Sequence, residues 1–308
     1  MSGTSAIPGG SAHARPARRP LLGVAAMIGA GVCMLSSDAV LKLASHELPL
    51  GEMILGRGAT TFLLLGLAAI AAGQVCHPAR LVSLPVAVRI MGEIGAALCF
   101  NAALLRMPIA NAAAVLQFIP LVTVAVAARL FGERVGWQRL VAGAVGLVGV
   151  MAILRPGPEG FNWWSLLAVA AMLSMSIRDL ATSRIDRSLP TLMIAAVTAG
   201  MAGLSGLLLA PLEAWVAPSL PAAGLVVGAG VLMSAGFTCL VVAMRNADMS
   251  LLAPFRYATV LWAIVLGYFT WNEMPDLLAL GGIGLVVGAG LVTFWRERRI
   301  LAAAAARR

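Results

Sequence analysis

Asp38, Lys42, Arg57, Glu93, Arg178, Asp179 and Arg256 stand inside stretches that are otherwise apolar. Their types and spacing do not suggest bond-making chemistry. The three histidines, His13, His46 and His77, fall in tails or loops, and no serine or cysteine stands in a nucleophile setting. No G-x-x-x-x-G-K-[ST] is present to hold a nucleotide, so neither an enzyme nor ATP drive within this polypeptide is expected. Cys33, Cys76, Cys99 and Cys239 lie far apart without ligand spacing and read as small hydrophobes, so no metal and no cofactor is expected. What remains is the chemistry of holding a charged or dipolar solute within a membrane. A charge at the bilayer centre costs at least about 2.5–3.5 kcal/mol, so such residues find a partner or face a water-filled cavity.

Asp38 and Lys42, in "LSSDAVLK", are four residues apart with the acid first, the favourable order for a pair on one helix face. Lys42 lies about a turn from the helix end and can snorkel to the interface, which leaves Asp38 in need of another partner. Arg57 opens the next span in "LGRGATTFLLL", either with room around it for a ligand or as an interfacial residue pairing with Glu52. Glu93, one turn from Arg89, is expected to pair with it, and Phe100 and Asn101 put a ring and an amide deep in the third span. Asn111, Gln117 and Pro120 in one span, and Ser250, Pro254, Arg256 and Tyr257 in another, combine polar groups with helix breakers. Each proline frees a backbone carbonyl, which either lines a cavity or sits in a kink that improves packing.

The elements that must position these residues are set by composition. Of 308 residues, 60% are hydrophobic and only 11% charged, with a mean hydropathy of +0.94; soluble chains carry about 25% charge. Lipid is therefore the solvent for most of the chain. About ten windows reach the roughly 20 apolar residues that a spanning helix needs. They lie near 21–43, 52–72, 87–105, 109–130, 137–154, 163–184, 191–211, 221–244, 249–271 and 277–295. The net charge of +9 would suggest nucleic acid in a soluble protein, but the cations are spread through short connectors, and no nucleic-acid partner is expected. Sixteen of the 22 cations fall on one side if both termini are cytoplasmic, against only Arg106 and Arg155 on the other, so both termini are expected inside. The basic, apolar start reads as an uncleaved first helix preceded by a disordered tail. Trp163 and Trp164 read as an aromatic belt.

A shift of 140 residues lays "ALLRMPIANAAAVLQFIPLVTVAVAARLFGE" (103–133) on "AMRNADMSLLAPFRYATVLWAIVLGYFTWNE" (243–273), and "GAVGLV" finds "GGIGLV" two residues out of step. Five helices per half is odd, so the second half must run upside down. The expected fold is all-α and integral to the membrane: ten transmembrane helices as two inverted five-helix repeats. Such repeats place a solute site near the midplane between the halves. The same shift maps Asp38 onto Arg178, a cross-half partner, and Gln117 onto Tyr257; Asp179, 100° round the helix, is not expected to share the face of Arg178. The units are then a tail (1–20), a first repeat (21–154), a linker (155–162), a second repeat (163–295) and a basic tail (296–308). The "GLVVG" steps at Gly224 and Gly284 signal close packing, helix to helix or between two copies in a homodimer.

"LFGERVGWQRLVAGAVGLVGVMAI" (130–153) resembles the end of an EamA-type repeat of the drug/metabolite transporter superfamily, with Gly132, Glu133, Arg134 and Gly143 in the motif positions and Arg57 near the start of helix 2. The second half departs, with Asn272 and Glu273 in place of Gly-Glu and no arginine after them. "CMLSSDA" replaces the family's tryptophan-glycine in helix 1. The resemblance implies a multi-pass transporter of the bacterial inner membrane that works by alternating access. In character it is nearest to amino-acid exporters, including the YddG-type exporters of aromatic amino acids, with a drug- or nucleoside-type metabolite carrier as the alternative. A channel would want rings of charge or a filter-like segment, which are not evident. Under this reading an amino-acid zwitterion meets a cation (Arg57, Arg178 or Arg256) and Asp38, while its side chain packs on Phe100, Phe118 or Met175. Asn101, Gln117 and Tyr257 complete the expected pathway.

Overall fold

The structure is a computed structural model that describes residues 19–123, 126, 137–154, 163–186, 188–247 and 252–305. Residues 1–18, Gly132–Arg134, the linker 155–162 and Ser250 lie outside the described residues. No strand occurs among those described. The helices are α1 (Pro20–Ala44), α2 (Leu50–Ala71), α3 (Leu84–Leu104), α4 (Ile109–Leu116), α5 (Trp137–Leu154), α6 (Trp163–Thr182), α7 (Thr191–Leu204), α8 (Leu220–Asn246), α9 (Ala258–Trp271) and α10 (Leu277–Ala305). Among the described residues, seven segments, α1, α2, α3, α6, α7 with its 3₁₀ extension to Leu209, α8 and α10, are long and apolar enough to cross a membrane. Large side chains such as Leu63, Ile70 and Phe269 are exposed on the outside, as hydrocarbon-facing groups are. The protein is thus a multi-pass membrane protein. The last helix runs ten residues past the expected 295, through the arginines expected in a basic tail.

Prolines set the irregularities. Pro120 has no N–H to return to Leu116, and α4 gives way to a turn at Gln117 and Phe118, whose amides take tighter bonds to Ala114 and Val115 (both 3.1 Å). A 3₁₀ turn, Ala253–Tyr257, containing Pro254 leads into α9. The two breaks meet: the Gln117 amide lies 3.5 Å from the Arg256 carbonyl.

The helices pair across the sequence halves. α1 lies along α8, α3 along α6, α2 along α7 and α5 along α10, while α4 packs on α9. Glycines let several of these seams bring backbones into contact. A Cβ on Gly58 would sit 2.2 Å from the Gly203 Cα, and one on Gly149 would sit 2.7 Å from the Gly282 carbonyl oxygen. Gly224, Gly228, Gly284 and Gly288, by contrast, have nothing within 4 Å of an added Cβ. Among the described residues, the "GLVVG" steps therefore do not pack helix on helix. One core gathers Leu35 and Ala39 of α1, Phe100 and Leu104 of α3, Ile109, Ala110, Ala112 and Ala113 of α4, Ala171 of α6 and Ala263 of α9. A second holds Phe118, Val150, Met172, Val260 and Val286, and Met175 touches both.

Candidate substrate pathway

Successive helical residues point about 100° apart, so three neighbours on one helix can address three different partners. In α1 they do. The Ser36 hydroxyl accepts from the Trp262 indole N–H of α9 (3.0 Å), and Ser37 donates to the Ala229 carbonyl of α8 (2.7 Å). Asp38 Oδ1 accepts from Arg57 Nη1 of α2 at 2.7 Å, with both side chains largely buried. The segment that replaces the family's usual tryptophan-glycine is the hub of this end of the molecule. Arg57 is held in place from its own helix: Thr61 donates to the Arg57 carbonyl (2.8 Å), and the Gly56 and Gly58 positions leave space for close neighbours from α8 and α7.

This corrects the expected Asp38–Arg178 pair. A repeat register finds equivalent positions, and equivalent positions touch only where both lie on the symmetry axis; α1 lies along α8 and α6 along α3. Arg178 instead binds Glu93 of α3 (3.1 Å) and its neighbour Asp179 (2.8 and 2.9 Å). Asp179 sits 100° round the helix from Arg178, and the long guanidinium arm bends back across the helix surface to reach it. Nor does Glu93 take Arg89 as its bonded partner; the Arg89 guanidinium donates to Thr182 and to Thr198 (3.4 Å). Glu52 accepts from the Val216 amide (3.4 Å), not from Arg57.

Lys42 departs furthest from expectation. It does not snorkel to the interface but is buried, 8% exposed, with Nζ 3.3 Å from Glu273 Oε1 and 3.1 Å from the Met107 carbonyl, and 4.7 Å from the ring centroid of Trp271. Sequence reasoning assigned no pathway role to Glu273, Trp262 or Trp271. The signals were the four-residue spacing to Lys42 and the lone acid closing α9.

Of the other expected residues, Phe100 and Phe118 are buried in the two cores and Met175 bridges them. Asn101 is 2% exposed, donates to Ala97 (2.6 Å) and leaves its Oδ1 without a partner. Tyr257 packs its hydroxyl end against Gly290, and Gln117 reaches the Arg256 backbone carbonyl. The structure thus joins Asp38 with Arg57 and Phe100 with Met175, and sets Arg178 apart in its own acidic pair.

A helical bundle in lipid, with compensated charges buried between helices from both sequence halves, defines the class: a multi-pass membrane protein built around internal polar contacts. Residues 21–155 and 162–295 match the EamA-like transporter family, and the chain belongs to that family within the drug/metabolite transporter superfamily. It is 27% identical over 195 residues to the S-adenosylmethionine uptake transporter of Rickettsia prowazekii, covering 62% of this chain and 65% of that protein. The chain thus spans slightly less than two thirds of that relative. It is 27% identical to the riboflavin transporter of Vibrio cholerae (68% of this chain, 70% of the relative). It is 26% identical to the pseudopaline exporter of Pseudomonas aeruginosa (82% and 88%). A solved crystal structure at 23% identity superposes with a TM-score of 0.62 over 90% of this chain and 99% of its own, a likeness of fold.

Proposed function

We propose that this chain is a secondary transporter of the bacterial inner membrane, with ten spans in two inverted halves and both termini cytoplasmic. It would move amino acids, aromatic or otherwise hydrophobic, or related small metabolites outward by alternating access. The helix pairing supports the inverted repeat. Exchanging α1–α5 with α6–α10 turns the α1–α8 seam into the α6–α3 seam and returns α2–α7, α4–α9 and α5–α10 to themselves, as a two-fold axis requires.

The observation that carries the substrate class is the buried Asp38–Arg57 pair, on the same stretch of α1 whose Leu35 and Ala39 pack with Phe100 and whose Ser36 binds Trp262. A zwitterion carries the same two charges as the pair. Its carboxylate can take the two-armed guanidinium and its ammonium can take Asp38, so each buried charge stays compensated while the apolar side chain meets the aromatic core. A polycation would want uncompensated acids, and a phosphate ester a basic cluster. A second reading, a larger ring-bearing metabolite, is favoured by the relatives named for S-adenosylmethionine and riboflavin. Purified protein in liposomes loaded with labelled amino acids, nucleosides and flavins tests both. Counterflow with hydrophobic amino acids is expected, and no flux with any solute of the panel would overturn the transporter reading.

A further inference from the structure

The surroundings of Lys42 have the composition of a receptor for an organic cation. A carboxylate oxygen (3.3 Å), a backbone carbonyl (3.1 Å) and the face of an indole (4.7 Å) converge on one ammonium. These are the three kinds of group that recognise ammonium ligands, and the indole face favours a weakly hydrated organic cation over sodium. The parts come from separate places. Asn272, the one non-glycine residue with positive φ among the described residues (54°), turns the chain at the end of α9 so that the Glu273 amide returns to the Gly267 carbonyl (3.0 Å). Asparagine tolerates this conformation better than most residues. A Cβ at Gly267 would lie 3.4 Å from Ile109, so the close seat of α4 on the end of α9 brings the Met107 carbonyl within reach. Lys42 satisfies only part of the site: Glu273 Oε2 is buried with no partner.

We infer that Glu273, Trp271 and the Met107 carbonyl form a binding site for an organic ammonium group, and that Lys42 is its tethered occupant. A substrate ammonium arriving at this end displaces it. Because Lys42 belongs to the first half, Glu273 to the second and Met107 to the α3–α4 connection, displacement unlinks three elements at once. The link to transport rests on the function proposed above; the binding site does not, and it is tested without flux.

Lys42→Ala removes four atoms beyond Cβ, the heavy atoms of propylammonium. Lys42→Leu ends at Cδ, two atoms short of Nζ, and leaves room for methylammonium. Thermal unfolding of each purified variant is followed with the matching alkylammonium chloride and with sodium chloride at equal ionic strength. The amine is expected to raise the melting temperature saturably towards the wild-type value in both variants, and sodium is not. Adding Trp271→Leu is expected to weaken the amine's apparent affinity about two- to fivefold. Should Lys42→Ala fail to fold, Lys42→Leu carries the same reading. Stabilisation by sodium equal to that by amine, or none by either in a folded variant, would show that Lys42 is a structural staple and overturn the site. Rescue without flux in liposomes would leave the site standing and remove the transport reading.

Discussion

Asp38 and Arg57 are joined across α1 and α2 at 2.7 Å, and the adjacent Ser36 and Ser37 bind α9 and α8. One turn of the first helix therefore ties together three neighbours, two of them from the second half of the chain.

Removing one charge of that pair leaves the other buried without compensation. Asp38→Leu or Arg57→Met alone is expected to destabilise the protein by about 3–5 kcal/mol, and the double variant by clearly less. Thermal unfolding in detergent of both singles and the double checks this. Additive losses would mean that the two groups do not interact.

Much of this was legible in the sequence, and what was not follows a physical pattern. Apolar windows mark the helices because a span must satisfy its backbone inside a long hydrophobic run. The breaks at Gln117 and before Ala258 were readable from Pro120 and Pro254. Ion-pair partners were not, because a 140-residue register reports equivalence and says nothing of contact: Asp38 and Arg178 are equivalent, yet each binds elsewhere. Lys42 was misjudged for a related reason. Its depth was counted along α1, whereas its burial comes from Trp271, Glu273 and Met107, far away in sequence.

The α2–α7 crossing depends on having no side chain at Gly58 and Gly203. Gly58→Ala puts a Cβ against backbone and is expected to destabilise by about 1–3 kcal/mol or more. Gly224→Ala, with open space around it, is expected to be neutral or stabilising by up to about 1 kcal/mol. Equal melting temperatures for the two variants would contradict the crossing.

Arg178 serves two acids, Glu93 and Asp179, with separate nitrogens. Lysine keeps the charge but presents one point donor instead of a fork. Arg178→Lys is therefore expected to lower stability, and Arg178→Ala more so, by roughly the 3–5 kcal/mol of a broken buried pair. In the Glu93→Gln background Arg178→Lys is expected to cost less than in wild type. Unfolding temperatures across the five proteins measure this.

Asp186, in the exposed turn between α6 and α7, accepts from the Ser188 amide (2.9 Å), and this bond holds its carboxyl below the usual carboxylate range. The turn is therefore complete above about pH 4 and loosens as acid protonates the folded carboxyl below that. Exchange of the Ser188 amide is expected to be slow at neutral pH, faster below that range once intrinsic rates are corrected, and fast throughout in Asp186→Ala.

The central claim, that the Asp38–Arg57 pair yields to a zwitterionic substrate, is tested most directly by counterflow of a hydrophobic amino acid into liposomes. Wild type is compared with Asp38→Asn and Arg57→Gln, each first shown to be folded. The account predicts saturable counterflow in wild type and a loss of about a hundredfold or more in each variant, the scale of a fully desolvated charge contact. Wild-type rates in both folded variants would contradict it.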